Sequence, residues 1–134
     1  MTTPNIDTEL YLPKTYLFER KGQAYSDLAY MTRQGSDLDY VYLPKGLSSV
    51  TVTSTGLYAG RTQVQLFNSD GHMSDLTDFN KVTAMTQRLW MGQVSNHAEH
   101  SSGLRLKVQA QYITSAGMNH GSVAVQIINF PPEN

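Results

Sequence analysis

Two histidines and a glutamate fall within four positions of one short polar segment, GQVSNHAEHSSG at 92–103. His97, Glu99 and His100 are residue types that bind zinc, which takes three or four such ligands in proteins. The neighbouring glycines and serines predict a loop, and the helical zinc-protease pattern H-E-x-x-H is absent. We therefore predict a polar loop with no bound cofactor, and keep a metal site at these three residues as the alternative.

A second oxygen-rich segment is NSDGHMSD at 68–75. It lacks the regular acidic alternation and the closing glutamate of an EF-hand calcium loop. The tetrapeptide Asn-Ser-Asp-Gly is typical of a tight turn between strands. The segment therefore predicts a turn rather than a calcium site.

Sequence patterns of catalysis are missing elsewhere in the chain. It has no G-x-S-x-G elbow, no phosphate-binding loop and no G-x-G-x-x-G fingerprint. Two pairs of nearby acids, Asp37 with Asp39 and Asp75 with Asp78, are typical of turns and caps rather than of an acid–base cleft. The sequence predicts no catalytic residues and a protein that is not an enzyme.

Composition limits the possible partners and location. The chain of 134 residues has the size of one domain and contains no cysteine, which excludes disulfides and thiolate metal sites. Its 10 basic and 11 acidic residues give a net charge of -1, which disfavours nucleic acid as a partner. Neither a signal peptide nor an apolar run of membrane-spanning length is visible. Charged residues make up 16% of the chain, below the usual quarter.

Alternation with a period of two is the dominant structural pattern. In residues 104–112 (LRLKVQAQY), apolar and polar side chains alternate strictly, which predicts a strand with one buried face. Residues 122–130 (SVAVQIINF) are apolar on both faces, which predicts a central strand. The loop-like sequence between them favours an antiparallel hairpin formed by these two strands.

Further strands are predicted at 27–31, 39–43, 49–54 and 62–67, and the segment 11–18, broken by Pro13, is predicted as an edge strand or an extended arm. The segment 75–85 could form a helix capped by Ser74, because Leu76, Phe79 and Val82 have helical spacing. Its threonines favour instead a short helical turn followed by a strand over about 86–94. Trp90, between Leu89 and Met91, is expected in the core.

These elements predict an all-β fold: an antiparallel β-sandwich of jelly-roll type, with about eight strands and at most one short helix. Residues 1–134 form one domain, with an extended N-terminal arm at 1–14 and a C-terminal tail at 131–134. The arm, the Ser/Thr/Gln-rich strands and the final GLRLKV…GSVAVQI pattern resemble small jelly-roll decoration or cement proteins of tailed bacteriophage capsids.

The resemblance implies a virion structural protein that is assembled in the host cytoplasm. Its partners would be protein subunits, in a homo-oligomer or on a capsid lattice, with no role for a membrane. The expected interface residues are Leu10, Tyr11, Leu12, Tyr16, Leu17, Ile128 and Phe130. The alternative is a lectin-like carbohydrate-binding module, because the closing sequence HGSVAVQIINFPP is similar to the last strand of small bacterial sugar-binding sandwiches. The loop before it has no carboxylate, which counts against a calcium-bridged sugar.

Overall fold

The computed structural model describes residues 12–20, 27–96, 103–112 and 121–130. Within these ranges the chain forms strands and turns, and no helix occurs. The strands are β1 (Lys14–Glu19), β2 (Ala29–Tyr30), β3 (Thr32–Arg33), β4 (Val41–Tyr42), β5 (Gly46–Thr55), β6 (Gly60–Phe67), β7 (Met73–Asp75), β8 (Asn80–Lys81), β9 (Thr86–Asn96), β10 (Arg105–Tyr112) and β11 (Ser122–Phe130). Every pairing is antiparallel, so the predicted all-β antiparallel class is confirmed.

The strands form two sheets whose order is that of a jelly roll. One sheet has the order β3-β1-β11-β5-β9, and the other has β2-β10-β6-β7, with β4 paired to β10 and β8 paired to β6. β2 and β4, which both pair with β10, can be counted as one strand position, and β7 and β8, which both pair with β6, as another. With the two-residue β3 set aside as an extension beside β1, the chain then has eight positions. In chain order these positions distribute between the two sheets as the strands of two Greek keys do. The sequence-based expectation of about eight strands agrees with this count.

The last two long strands do not form the predicted hairpin. β10 pairs with β6 in one sheet, whereas β11 pairs with β1 and β5 in the other. Both strands have an apolar face to bury, and the sandwich buries these faces against each other across the core rather than side by side. The expectation that β11 is a central strand is confirmed, because it has neighbours on both sides.

The segment after the β6–β7 turn contains two short strands instead of a helical turn. β7 and β8 pair with different parts of β6, and bends separate them. Leu76 N donates to Val64 O at 2.8 Å and Val82 N donates to Gly60 O at 2.7 Å. The edge of β6 needs hydrogen-bond partners along its length, and this requirement overrides the helical spacing of the apolar residues. The strand predicted at 86–94 is present as β9.

The core lies between the sheets and is filled by the inward half of each alternating strand. Val50 and Val52 of β5, Val123 and Val125 of β11, and Val108 of β10 are fully buried. Burying a side chain of this size contributes about 1.5–3 kcal/mol. Trp90 is partly buried and packs against this cluster, as expected from the sequence.

One buried arginine links the two sheets. Arg20 follows β1, and its Nη1 donates to the carbonyl oxygen of Ala110 in β10 at 2.9 Å and to that of Asp27 at 2.8 Å. The side chain is only 8% exposed. A guanidinium group can satisfy several carbonyl groups at once, so this residue fastens β1 to the opposite sheet.

Candidate interaction site

The three residues kept as an alternative metal site, His97, Glu99 and His100, lie outside the described residues. Among those that are described, no three histidine or acidic side chains gather as metal ligands. The predicted turn is confirmed over residues 68–72, where Asn68 Oδ1 accepts from Asp70 N at 2.9 Å and from His72 N at 3.0 Å, and the rest of the segment forms β7.

Two of the expected interface residues are not described, and the others fall into two groups. Leu10 and Tyr11 lie outside the described residues. Leu12 and Tyr16 line a cavity at the open side of the sandwich. Leu17, Ile128 and Phe130 lie on the outer face of the five-stranded sheet, because their neighbours in sequence point into the core.

The cavity, called the groove below, has a volume of about 450 Å³. It opens between β1 and the β4–β5 turn, which joins the two sheets. Its walls combine apolar side chains with a lysine, two tyrosines and an asparagine amide: Leu12, Lys14, Tyr16, Tyr42, Leu43, Pro44, Ile127 and Asn129. An apolar groove with a few polar groups is the usual form of a binding site.

Two asparagine side chains hold the wall of the groove in place. Asn96 Nδ2 donates to Leu43 O at 2.8 Å and to Pro44 O at 3.3 Å. Asn129 Nδ2 donates to Lys45 O at 3.0 Å. These bonds fix the backbone between β4 and β5, which forms one wall of the groove.

The outer face of the five-stranded sheet is nearly free of charge. We call the outward side chains of β1, β11, β5 and β9 the neutral face. Among them, Glu19 and Arg88 carry charge, and both lie near its margins. Two rows cross its centre, in the order given by strand pairing: Thr15, Gln126, Thr51 and Met91 in one, and Leu17, Ala124, Thr53 and Arg88 in the other.

Large apolar side chains on the neutral face are exposed. The exposed fractions are 41% for Leu17, 40% for Phe130, 38% for Leu47 and 57% for Met91. The centres of protein–protein interfaces are depleted in charged residues and enriched in aromatic residues and methionine. The neutral face therefore has the composition of a contact surface.

The outer face of the other sheet is different, because its polar side chains bond to one another. Tyr30 donates to Gln65 Oε1 at 2.7 Å, and Gln65 Nε2 donates to Asp75 Oδ1 at 3.0 Å. Gln109 Nε2 donates to Gln63 Oε1 at 2.6 Å. Such mutual bonding rigidifies the sheet and leaves fewer groups for a ligand.

Cations and aromatic rings extend this network. Lys107 Nζ lies 4.7 Å from the ring centre of Tyr30 and 4.8 Å from that of Phe67. Its Nζ also lies 3.7 Å from Asp39 Oδ1. Burial, and then the charges of Asp39 and Asp75, raise the pKa of Tyr30 above its ordinary value.

Tyr40 and Tyr42 form the exposed end of this sheet. Their ring centres are 4.9 Å apart with an interplanar angle of 66°, and the Arg105 guanidinium lies 5.9 Å from the centre of the Tyr40 ring. The pKa of Tyr40 is raised above its ordinary value, mainly by a hydrogen bond with Tyr42 and to a smaller extent by desolvation. The pair combines exposed aromatic surface with polar groups.

Sequence reasoning missed several members of these surfaces. Leu47, Met91 and the outward threonines of β5 were not predicted as contact residues, although the alternation of β5 already separates them from Val50 and Val52. The groove residues Leu43, Pro44 and Asn129 had no detectable pattern, because the groove depends on which strands pair across the sandwich.

A membrane-spanning helix is not found in the described part of the chain.

No protein-family model and no curated protein matches the chain. Among solved structures, a structure of infectious bursal disease virus, Gt strain, is similar over 89% of this chain and 34% of its own, with 14% identity and a TM-score of 0.36. The crystal structure of the infectious bursal disease virus VP2 subviral particle is similar over 89% of this chain and 38% of its own, with 10% identity and a TM-score of 0.36. The chain thus spans little more than a third of the length of these proteins, and its assignment as a jelly roll rests on its own strand order.

Proposed function

We propose that this chain is a structural component of a virus particle, of the decoration or cement type found on tailed bacteriophage capsids, and that it acts through subunit contacts rather than catalysis. The observation that carries the proposal is the neutral face, an exposed sheet surface whose centre holds no charge. Jelly rolls also serve as lectins and enzymes, so the fold alone does not decide the function.

The area of the neutral face determines whether it can form a stable interface by itself. Four strands about 4.8 Å apart and about nine residues long present roughly 500 Å². A stable interface buries about 800 Å² on each partner. The neutral face would therefore supply the centre of an interface, and a second contact would complete it.

The test is the mass of the purified chain in solution, measured by light scattering. We expect a symmetric homo-oligomer, and we expect Thr51→Lys to reduce its mass, because a lysine at the centre of the neutral face would be buried without a counter-charge. The matched control is Asp70→Lys in the turn between β6 and β7, which makes a larger change of charge on the other sheet. A wild-type chain that stays monomeric, or an unchanged mass for Thr51→Lys, would contradict self-assembly through the neutral face.

A second candidate function is carbohydrate binding, which the exposed Tyr42, packed against the half-buried Tyr40 beside Arg105, favours. Aromatic rings with polar tips are suited to partly apolar ligands at a wet surface. A glycan array run with wild type and Tyr42→Ala would test this alternative. Glycan binding that is lost in Tyr42→Ala and insensitive to a chelator would support a sugar site without calcium. If the wild-type chain binds no glycan, the carbohydrate-binding alternative is refuted.

A further inference from the structure

The first strand has an edge without a partner strand in the described part of the chain. β3 pairs with β1 at Phe18 and Glu19 only, and then turns away at Gly35, which has a φ of 77°. Leu17 O accepts from Gln34 N at 2.8 Å. By the alternation of antiparallel pairing, the backbone groups of Thr15 face the same side. We call Lys14 to Tyr16 the open edge.

Two cavities border the open edge. The groove contacts it at Lys14 and Tyr16. A smaller cavity of about 240 Å³ is lined by Thr15, Tyr16, Leu17, Arg33 and Gln34. This smaller cavity occupies the place that β3 would fill if it continued. An open edge flanked by side-chain pockets is the arrangement that binds an added strand, because the edge supplies backbone hydrogen bonds and the pockets accept side chains.

The charged side chains that line the two cavities at the open edge are positive. Lys14 lines the groove, and Arg33 lines the smaller cavity, with its guanidinium 4.8 Å from the ring centre of Tyr16. The described residues that line these two cavities include no carboxylate. The added strand should therefore carry acidic side chains on the side that faces them.

The chain contains such a segment immediately before Leu12, which itself lines the groove. In residues 6–11 (IDTELY), Asp7, Glu9 and Tyr11 alternate with Ile6, Thr8 and Leu10. In an extended strand these two sets of side chains lie on opposite faces. The acids and the tyrosine would face Lys14, Arg33 and the groove, whereas the apolar residues would lie beside Leu17 and widen the neutral face.

The short connection between residues 6–11 and β1 favours pairing with the β1 of a second copy over pairing with the β1 of the same chain. To pair with its own β1, the segment would have to reverse within Leu10-Tyr-Leu-Pro13, which contains none of the Gly, Asn or Asp residues that tight hairpins require. Glu9, near the middle of the segment, is three residues from Leu12, so the two can lie at most about 11 Å apart. The open edge of the second copy must therefore lie directly beside the groove of the first, as it would in a reciprocal dimer.

We infer that residues 6–11 of one copy add as a β-strand to the open edge of β1 in a second copy. The inference rests on the proposed assembly role and specifies the second contact that the neutral face requires. Each subunit would both donate a segment and accept one, so that a closed ring or a reciprocal dimer results.

Cross-linking of the full chain tests the inference, since the protein has no native cysteine. In the variant Thr8→Cys with Thr15→Cys, the two thiols would lie on the same face of adjacent strands. A short bis-maleimide should then produce covalent dimers. The control variant, Thr8→Cys with Asp70→Cys, carries its second thiol on the other sheet and should cross-link at background level. Adding Glu9→Lys should lower the yield at least several-fold, and adding Lys14→Glu to that variant should restore it.

Each remaining outcome overturns the inference. A linker joining both thiols within one chain would mean that the segment occupies its own edge. A dimer yield equal to that of the control would mean that the open edge has another occupant. The Thr51→Lys test probes the neutral face without touching the open edge, so the two proposals can fail separately. Background cross-linking of the Thr8→Cys, Thr15→Cys variant, together with an oligomer that remains intact in light scattering, would refute the inference and leave the proposed function standing.

Discussion

Asn96 provides a sharp test of how the groove is held together. Its side chain is 3% exposed, and its amide nitrogen donates to the carbonyl oxygens of Leu43 and Pro44. Asn96→Asp keeps the shape of the side chain but places a carboxylate oxygen where a donor was. At neutral pH this substitution puts a negative charge against two carbonyl dipoles in a buried position.

The expected loss of stability follows from two contributions. Losing a hydrogen bond between buried groups costs about 1–3 kcal/mol. The buried carboxylate either stays charged or takes up a proton, and protonating a group with an ordinary pKa near 3.9 costs about 4 kcal/mol at pH 7. The smaller of the two charge costs applies, so the charge contributes at most about 4 kcal/mol, and with about 1 kcal/mol for the hydrogen bond that even the protonated group loses, Asn96→Asp should lose up to about 5 kcal/mol at pH 7. This is a large share of a typical stability of 5–15 kcal/mol.

The loss should depend on pH in a definite direction. Burial raises the folded-state pKa of the new carboxyl group above its unfolded value. The stability that its protonated form contributes is therefore fully present below about pH 4 and is lost as the pH rises through the folded pKa. Urea unfolding at about pH 4 and 7 should show a penalty that falls to about 1 kcal/mol at the lower pH, where the protonated group can donate one bond.

The matched control is Asn129→Asp. The side-chain amide of Asn129 donates to Lys45 O and Leu47 O in hydrogen bonds that are exposed to solvent. The control variant should lose less than about 1.5 kcal/mol, with little dependence on pH. Equal penalties for the two variants at both pH values would show that the Asn96 amide does not hold the β4–β5 turn.

Three further substitutions probe other contacts. Gly92→Ala should cost about 1–3 kcal/mol in urea unfolding and shift the fluorescence of Trp90, because a Cβ there would lie 2.6 Å from the Trp90 ring; unchanged fluorescence would argue against this packing. Arg20→Met should cost about 2–4 kcal/mol, since the carbonyl of Ala110 loses its charged donor, whereas the exposed Arg88→Met should cost under about 0.5 kcal/mol. Tyr30 has a raised pKa, so the stability it contributes is complete below about pH 10 and is lost as the pH rises through the folded pKa; Tyr30→Phe should reduce the alkaline loss of stability, and an unchanged pH profile would contradict this.

The long strands could be predicted because each one has a buried and an exposed face. The alternation at 104–112 matches β10, and the two-sided apolar pattern at 122–130 matches the central β11. Their pairing could not be predicted, since a jelly roll joins strands that are distant in sequence, and a local loop does not reveal whether its two ends lie in one sheet or two. The segment 75–85 shows the same limit, because the unpaired edge of β6 determined its conformation.

The candidate surfaces were partly predictable for the same reason. The outward positions of Leu17, Ile128 and Phe130 follow from strand alternation, once the inward residues are known. Leu12 and Tyr16 line a groove whose far wall comes from the β4–β5 turn, which is some thirty residues away in the chain. Their surroundings depend on the way in which the two sheets are stacked.

The central place of β11 has a consequence for biosynthesis. β1 and β5 emerge from the ribosome early, yet in the described structure each of them pairs along its length with a strand that is translated more than sixty residues later. The five-stranded sheet therefore cannot close until β11 has been synthesised and has left the ribosome, and the apolar faces of β1 and β5 stay incompletely covered until then. A nascent chain stalled before residue 122 should accordingly be an open substrate for chaperones and proteases, whereas a chain in which β11 has emerged should rapidly become resistant to them.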